Sequence, residues 1–309
     1  MARYILIRLT YAIITLFIIA TLTFVVMKFL PGDPYGSEDD LTDQQIAVMN
    51  EKYGFDKPVT TQFALYMKNL VKGDLGTSFQ YPGRDVKKVI FQKFPVSMQL
   101  GVEALIIGTL LGILLGIFSA LKYNTIWDYG TTIVAVLGIS IPSFILAVLL
   151  QLLLSVKLGW LPVGYWDGPL HHVLPVAALA TGVVATISRY TRTEMLEILG
   201  SDYIATAESK GLSKQTVVTQ HAVRNSLIPV VTVLGPKMVS LMTGTLVIES
   251  IFAIPGLGGQ LIESIMTNDY PMIMGITLFY SALFIGVMLL VDVLYGVIDP
   301  RIRLSGDGT

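Results

Sequence analysis

Residues 203–229 read YIATAESKGLSKQTVVTQHAVRNSLIP and form the longest polar interval in the second half of a very apolar chain. A short helix is predicted over 201–210, because the serine at its start is a good N-cap and Gly211 suits the C′ position that ends a helix. A second helix is predicted to start behind Ser213. We call this helix–glycine–helix segment, residues 201–229, the elbow.

An elbow between two membrane spans is interpreted as a rigid, exposed handle that a second protein holds. The alternative is an ordinary amphipathic loop on the membrane surface. Charged residues in and near the elbow would contact a partner or form a solvated face: Glu194, Glu197, Asp202, Glu208, Lys210, Lys214 and Arg224.

The composition predicts an all-α, polytopic membrane protein. Of 309 residues, 53% are hydrophobic and 14% are charged, whereas a soluble domain is about 25% charged. Several apolar runs approach the roughly 20 residues that cross a bilayer. Six transmembrane helices are predicted at 9–30, 96–121, 129–157, 173–188, 230–248 and 271–298.

Whole classes of function are disfavoured by the same composition. A net charge of −1 argues against a nucleic-acid binder. The chain has no cysteine, which excludes disulfides and thiolate metal sites, and the adjacent His171 and His172 would not share a helix face. No metal site is predicted.

Glycines and a proline within the predicted spans indicate how the helices pack. Gly108, Gly112 and Gly116 recur every four residues in the second span, which predicts a smooth face that another helix approaches closely. Pro142 in the third span is expected to kink its helix.

The long polar segment after the first span is predicted to be an extracytoplasmic helical subdomain, with helices at 43–53 and 59–71 and a turn at 73–78. Capping the bundle and docking a soluble partner are both open as its role. The predicted divisions are the N-terminus with the first span (1–30), the subdomain (31–95), a five-helix core (96–298) with the coupling segment (194–229), and the tail (299–309).

The distribution of basic residues predicts the orientation. The short outer loops at 158–171 and 249–269 contain no Lys or Arg, as the positive-inside rule expects. The elbow and both termini are therefore predicted to be cytoplasmic. The basic residues assigned to the inner side are Arg3, Arg8, Lys122, Arg189, Arg192, Lys210, Lys214, Arg224, Arg301 and Arg303.

The chain shows no energy source of its own. It contains no GxxxxGK[ST] phosphate loop. Charges within the predicted spans are few, among them Glu103, Lys237 and Asp292, so ion coupling is weakly supported. A membrane bundle that is coupled to a separate ATPase fits this pattern.

Several short motifs together resemble the integral-membrane permease subunits of bacterial ABC peptide importers, and most closely the first permease of the oligopeptide and dipeptide systems, a type also used for nickel. The motifs are LPGDP at 30–34, YGFDKP at 53–58, GDLGTS at 73–78, DYIATAESKGL at 202–212, HAVRNSLIP at 221–229, FAIPGLG at 252–258 and DPRIR at 299–303. The resemblance implies a type I ABC importer permease fold.

The resemblance also implies a coupling helix in the elbow that enters a groove of the ATPase. The family motif is EAAxxxG followed by IxLP. Ala205, Thr206 and Ala207 take the EAA places, so the glutamate is missing, and Gly211 is the glycine. The implied coupling residues are Asp202, Tyr203, Ala205, Thr206, Ala207, Glu208, Lys210, Gly211, Leu212, His221 and Arg224.

The implied partners are a second homologous permease, two ABC ATPase subunits that bind ATP and Mg²⁺, an extracytoplasmic peptide-binding protein and membrane lipid. This chain itself is expected to hold no cofactor and to catalyse no reaction. Residues implied to face the receptor are Tyr53, Gly54, Asp74, Phe252, Pro255 and Gly256. The alternatives are a permease for nickel or another small solute, an ion-coupled secondary transporter, and a membrane-embedded enzyme.

Overall fold

The computed structural model describes an all-helical backbone. The residues that it describes are 2–29, 50–51, 53–81 and 83–298. Within these ranges, an isolated antiparallel bridge between Thr77 and Asp85 is the sole strand-like pairing. The predicted helix at 43–53 lies mostly outside the described residues.

The helices are numbered in chain order. They are α1 (Ala2–Phe29), α2 (Val59–Val71), α3 (Val86–Leu121), α4 (Ile126–Ser140), α5 (Ser143–Leu150), α6 (Pro169–Leu199), α7 (Asp202–Ser209), α8 (Arg224–Ile251), α9 (Leu257–Met266) and α10 (Tyr270–Ile298). A π-helical stretch, Gln151–Lys157, continues α5, and Lys214–Thr216 with a second π-helical stretch, Val217–Val223, leads directly into α8.

Within the described residues, five helices are long and apolar enough to cross a membrane, and a bent pair makes a sixth span if it is counted as one. The five are Leu6–Phe29, Val86–Leu121, Pro169–Leu199, Lys214–Met242 and Tyr270–Val291. The bent pair is Ile126–Ser140 with Ser143–Lys157. The expectation of an all-α protein with several membrane spans is confirmed.

The third span is broken rather than gently kinked. Its two halves meet at an angle of 102°. Ile141 has an extended backbone, with φ −86° and ψ 119°, as a residue before proline prefers, and Pro142 then starts the next helix. The predicted effect of Pro142 is therefore confirmed and is stronger than a kink.

Two predicted span starts, at 96 and 230, are wrong because the helices begin earlier and continue through a proline. α3 starts at Val86 and carries Pro95 inside it, and the second helix of the elbow runs without a break through Pro229 into α8. A membrane helix tolerates the loss of the one backbone hydrogen bond that each proline removes. Buried Val86 and Ile90 additionally hold the first turns of α3 in an apolar cluster.

The chain forms two compact units. The first comprises Met1–Val96 and Pro255–Leu290, and the second comprises Ser97–Ile254 and Val291–Thr309. In the first unit, side chains of α3, α9 and α10 share one buried cluster. Its buried members are Val86, Val89, Ile90, Leu257, Met272 and Ile276.

A buried carboxylate organises the polar part of the first unit. Asp269, only 1% exposed, accepts hydrogen bonds from the Ser78 hydroxyl and from the Phe79 amide at 3.1 Å. We call these contacts the Asp269 network. Nearby, Glu263 accepts the Tyr81 hydroxyl at 2.5 Å, and this hydrogen bond raises the pKa of Tyr81.

The second unit is arranged around α6, which packs against α4, α5 and α8. α3 approaches it through the glycine face: a Cβ added at Gly108 would lie 2.6 Å from Val183, at Gly112 2.8 Å from Ile187, and at Gly116 2.6 Å from Thr191. The predicted close packing of this face is confirmed, because no side chain larger than hydrogen fits there.

Candidate functional site

The elbow opens with α7 and a glycine turn, as the sequence predicts. α7 covers Asp202–Ser209, with Lys210 as its C-cap. Gly211 has φ +79°, and its amide donates to the Glu208 carbonyl at 2.9 Å. No atom lies within 4 Å of a Cβ added at Gly211, so the left-handed backbone is the reason for glycine here, not lack of space.

The two serines of the elbow differ in what their hydroxyls do. Ser213 accepts a hydrogen bond from the Thr216 amide at 3.2 Å and caps the second helix, as expected. Ser201 lies at the N-cap position of α7, but its hydroxyl donates to the Ile198 carbonyl at 2.6 Å. This bond fixes the turn between α6 and α7.

α7 is held by a small apolar face. Ile204 and Ala207 are buried and pack with Val217 from the second helix of the elbow and with Ile198 at the end of α6. The remaining residues of α7 are exposed. The helix is therefore fixed to α6 on one side, and its polar side is open to a partner.

The structure places most of the predicted coupling residues on the open surface. Those exposed are Asp202, Tyr203, Ala205, Thr206, Glu208, Lys210, Gly211, Leu212 and Arg224. Ala207 is buried and His221 is partly buried, so these two belong to the attachment of the elbow. The Tyr203 hydroxyl accepts a hydrogen bond from the Asn225 amide group at 3.2 Å, which joins α7 to the start of α8.

Sequence reasoning did not identify Met195 and Ile204 as residues that anchor the elbow, and it assigned the buried Ala207 to coupling. Met195 of α6 is fully buried with Ala120 of α3 and Ala222 of the π-helical stretch. Ile204 and Ala207 are three residues apart in a polar segment, and this spacing could have revealed the attached face of α7. Met195 carries no comparable local signal.

An ion pair between Asp128 and Arg192 joins α4 to the second half of α6. Asp128 is 2% exposed and accepts two hydrogen bonds from the Arg192 guanidinium, at 2.7 and 2.8 Å. It also accepts from the Ser119 hydroxyl and the Asn124 amide. In the sequence analysis, Arg192 served only to predict orientation. Its pairing with Asp128 spans 64 residues and leaves no local pattern in the sequence.

The predicted receptor-facing residues of the first unit lie around a tight turn. The Tyr53 hydroxyl accepts a hydrogen bond from the Thr77 amide at 2.9 Å, and Asp74 accepts from the Gly76 amide at 2.8 Å. Gly54 is buried with φ +70°, whereas Asp74 is exposed.

The other predicted receptor-facing residues differ in exposure. Phe252, in the second unit, is 1% exposed, and its carbonyl accepts the Tyr165 amide at 2.7 Å. Pro255, in the first unit, is exposed, and Gly256 is buried. Asp74 and Pro255 are therefore the exposed members of the predicted set.

The histidine pair contributes a polar contact near the start of α6. Nδ1 of His172 lies 3.0 Å from a Glu103 carboxylate oxygen, and its ring stacks on Trp166 with 3.7 Å between centroids. Within the part of the chain that the structure describes, no three His, Asp or Glu side chains are grouped as metal ligands would be.

Comparisons with known proteins cover the whole chain. Residues 112–304 match the family described as binding-protein-dependent transport system inner membrane component, and residues 1–101 match the N-terminal region of such membrane components. The dipeptide transport system permease protein DppB of Bacillus subtilis is 45% identical over 308 residues, which are 100% of both chains. The oligopeptide transport system permease protein OppB of Escherichia coli is 40% identical, over 98% of this chain and 100% of that protein.

One solved structure supports the fold. A chain of an amino acid ABC transporter crystal structure has a TM-score of 0.51 and 16% identity, over 67% of this chain and 93% of its own length. This agreement supports the type I importer permease fold predicted from the sequence. With two family models and full-length relatives in agreement, the chain belongs to the family of binding-protein-dependent transport system inner membrane components.

Proposed function

We propose that this chain is a permease subunit of an ATP-driven peptide importer, in which it forms half of the translocation pathway. The support for peptides is the name of the transport system in full-length relatives, dipeptide at 45% identity and oligopeptide at 40%. The chain contributes no ATPase site, since it contains no phosphate loop.

The proposed complex contains a second homologous permease, two ATPase subunits that bind ATP and Mg²⁺, and an extracytoplasmic peptide-binding receptor. The elbow and both termini are cytoplasmic in this proposal. The proposed divisions of the chain remain 1–30, 31–95, 96–298 and 299–309, with coupling assigned to 194–229.

The observation that carries the coupling role is the two-sided character of α7. Its exposed side offers polar and charged groups such as Asp202 and Glu208, while Ile204 and Ala207 fasten it to α6 through Ile198. A partner that moves α7 therefore moves the end of α6. Since α6 is the centre of packing of the second unit, the motion passes to the spans around it.

The receptor is proposed to contact the segments at 31–95 and 252–258. Asp74 and Pro255 are the members of the predicted set that are exposed for this contact. Tyr53 and Gly54 support the turn beside Asp74, and Phe252 packs inside the second unit.

The function is tested by reconstitution. The tagged chain is purified with its co-purifying proteins, placed in proteoliposomes and supplied with receptor, ATP and labelled di- and tripeptides. The expected result is a second six-span permease and P-loop ATPases in the preparation, with peptide uptake that requires ATP and receptor. Uptake by this chain alone without ATP would establish a secondary carrier, and uptake of nickel but not of peptide would establish the small-solute alternative.

A further inference from the structure

A cavity of about 270 Å³ lies in the second unit at the break between α4 and α5. The break contributes Ile141 and Pro142, and α6 contributes Thr181 and Thr186. α8 contributes Lys237, with Ser240 one turn further on. The cavity lies at the 102° bend of this broken span.

Among the described residues that line this cavity, Lys237 is the only charged one. It is partly buried, within a helical segment apolar enough to cross the membrane. No hydrogen bond or ion pair joins it to any residue whose side chain the structure describes. A cation in a membrane span is costly unless it faces a water-filled space or a partner, and such residues mark substrate pathways.

Two carboxylates of the second unit have partners among the described residues. Glu103 contacts His172, and Asp128 is held by Arg192. Each of these carboxylates therefore has a partner that stabilises its charge. Lys237 has no such partner among the described residues of this unit.

A second cavity of about 300 Å³ continues from the first along α6. Both cavities are lined by Ile139 and Thr186, and the second is also lined by Arg189 and Glu194. The two cavities therefore follow one face of α6 from Lys237 towards the end of the helix that carries the elbow. A second cation, Arg189, stands on this route, with Glu194 beyond it.

We infer that Lys237 binds the C-terminal carboxylate of the peptide in transit, an inference that rests on the proposed function. An ammonium group forms short, charge-assisted hydrogen bonds to a carboxylate. Every unmodified peptide ends in that group whatever its side chains are. One lysine on the pathway therefore engages many peptides without selecting among their sequences.

The test compares peptides with a free and with an amidated C-terminus. Initial uptake of trialanine and of trialanine amide is measured with the intact reconstituted complex, at concentrations that saturate the receptor, for the wild type and Lys237→Met. The same receptor serves both complexes, so its own preference cancels when the two acid-to-amide ratios are compared. We expect the ratio to fall about tenfold in Lys237→Met, the factor expected for losing one charge-assisted hydrogen bond.

Two further variants make the result specific to Lys237. Lys237→Arg keeps the cation and is expected to keep the wild-type ratio. Lys122→Met removes an exposed lysine from the loop between α3 and α4 and is expected to leave the ratio unchanged. An assembled Lys237→Met complex with the wild-type ratio would overturn the inference.

Assembly itself supplies another decisive outcome. If Lys237→Met and Lys237→Gln both fail to assemble while Lys237→Arg assembles, Lys237 pairs with a carboxylate of a neighbouring subunit and the inference is wrong. Absence of peptide uptake by the wild-type complex would instead overturn the proposed function, and this inference with it.

Discussion

The Asp269 network and the elbow both belong to polar segments that connect membrane helices, yet they are built in opposite ways. In the Asp269 network, the carboxylate is buried and accepts hydrogen bonds from Ser78 and Phe79 of the same chain. In the elbow, the side turned inward is apolar, with Ile204 and Ala207, and the polar side faces out. The Asp269 network therefore pairs its carboxylate within the chain, whereas the exposed polar groups of the elbow are open to a partner.

The difference separates stability from coupling. A buried donor or acceptor that loses its partner costs about 1–3 kcal/mol, so the Asp269 network is sensitive to substitution. Exposed polar groups contribute little to the stability of the chain itself. Substitutions on the open face of α7 should therefore affect the partner more than the fold.

The largest effect is expected at the buried carboxylate. In Asp269→Ala the Ser78 hydroxyl and the Phe79 amide lose their acceptor, which costs about 3 kcal/mol of local stability. Hydrogen exchange at the Phe79 amide should accelerate by about 100-fold. Asp74→Ala removes an exposed acceptor of the same segment and should change that rate by less than about threefold. Equal rates in the two variants would contradict the role of Asp269.

An intermediate effect is expected where α3 meets the helix that carries the elbow. In Gly116→Ala the new methyl group would lie 2.6 Å from Cβ of Thr191 and 2.7 Å from the Ser188 carbonyl, so α3 and α6 must separate, at a cost of about 2 kcal/mol. The thermal midpoint of the purified complex should fall by about 5 °C. Gly101→Ala is the matched control, because no atom lies within 4 Å of its added Cβ. A fall of the same size in the control would show that helix packing is not the cause.

The smallest effect on stability, and the most specific effect on function, is expected at the glycine turn. Gly211→Val forces a β-branched residue to φ +79°, at a cost of about 1–2 kcal/mol. The altered turn should reduce the peptide transported per ATP hydrolysed several-fold. Gly159→Val has a similar backbone cost, with φ +64° and equally open space, but lies outside the elbow and the proposed receptor segments and should keep that ratio. Unchanged coupling in Gly211→Val would count against the elbow model.

Features that depend on neighbouring residues could be predicted from the sequence. α2 spans Val59–Val71 as expected, and α7 ends at the glycine turn. The four-residue spacing of Gly108, Gly112 and Gly116 predicted a close helix contact. Helical periodicity and backbone preferences are local, so they are visible in sequence.

Features that depend on distant residues could not be predicted. Asp269 meets Ser78 across 191 positions, and Arg192 meets Asp128 across 64, and neither pairing has a local pattern. The continuation of α3 through Pro95 depends on membrane and tertiary packing that outweigh the helix-breaking preference of proline. Cytoplasmic placement of the elbow and the roles assigned to its residues stay predictions.

Site-specific cross-linking tests the central claim, that an ATPase subunit holds the open face of α7, most directly. The chain has no cysteine, so Thr206→Cys on that face gives one unique thiol, and Val163→Cys gives an exposed control in the loop before α6. A short cysteine-to-lysine cross-linker is applied to the assembled complex. The account predicts an adduct of the Thr206→Cys chain with the ATPase subunit and none from the Val163→Cys chain. An assembled complex in which Thr206→Cys gives no ATPase adduct, or in which both positions give equal amounts, would contradict it.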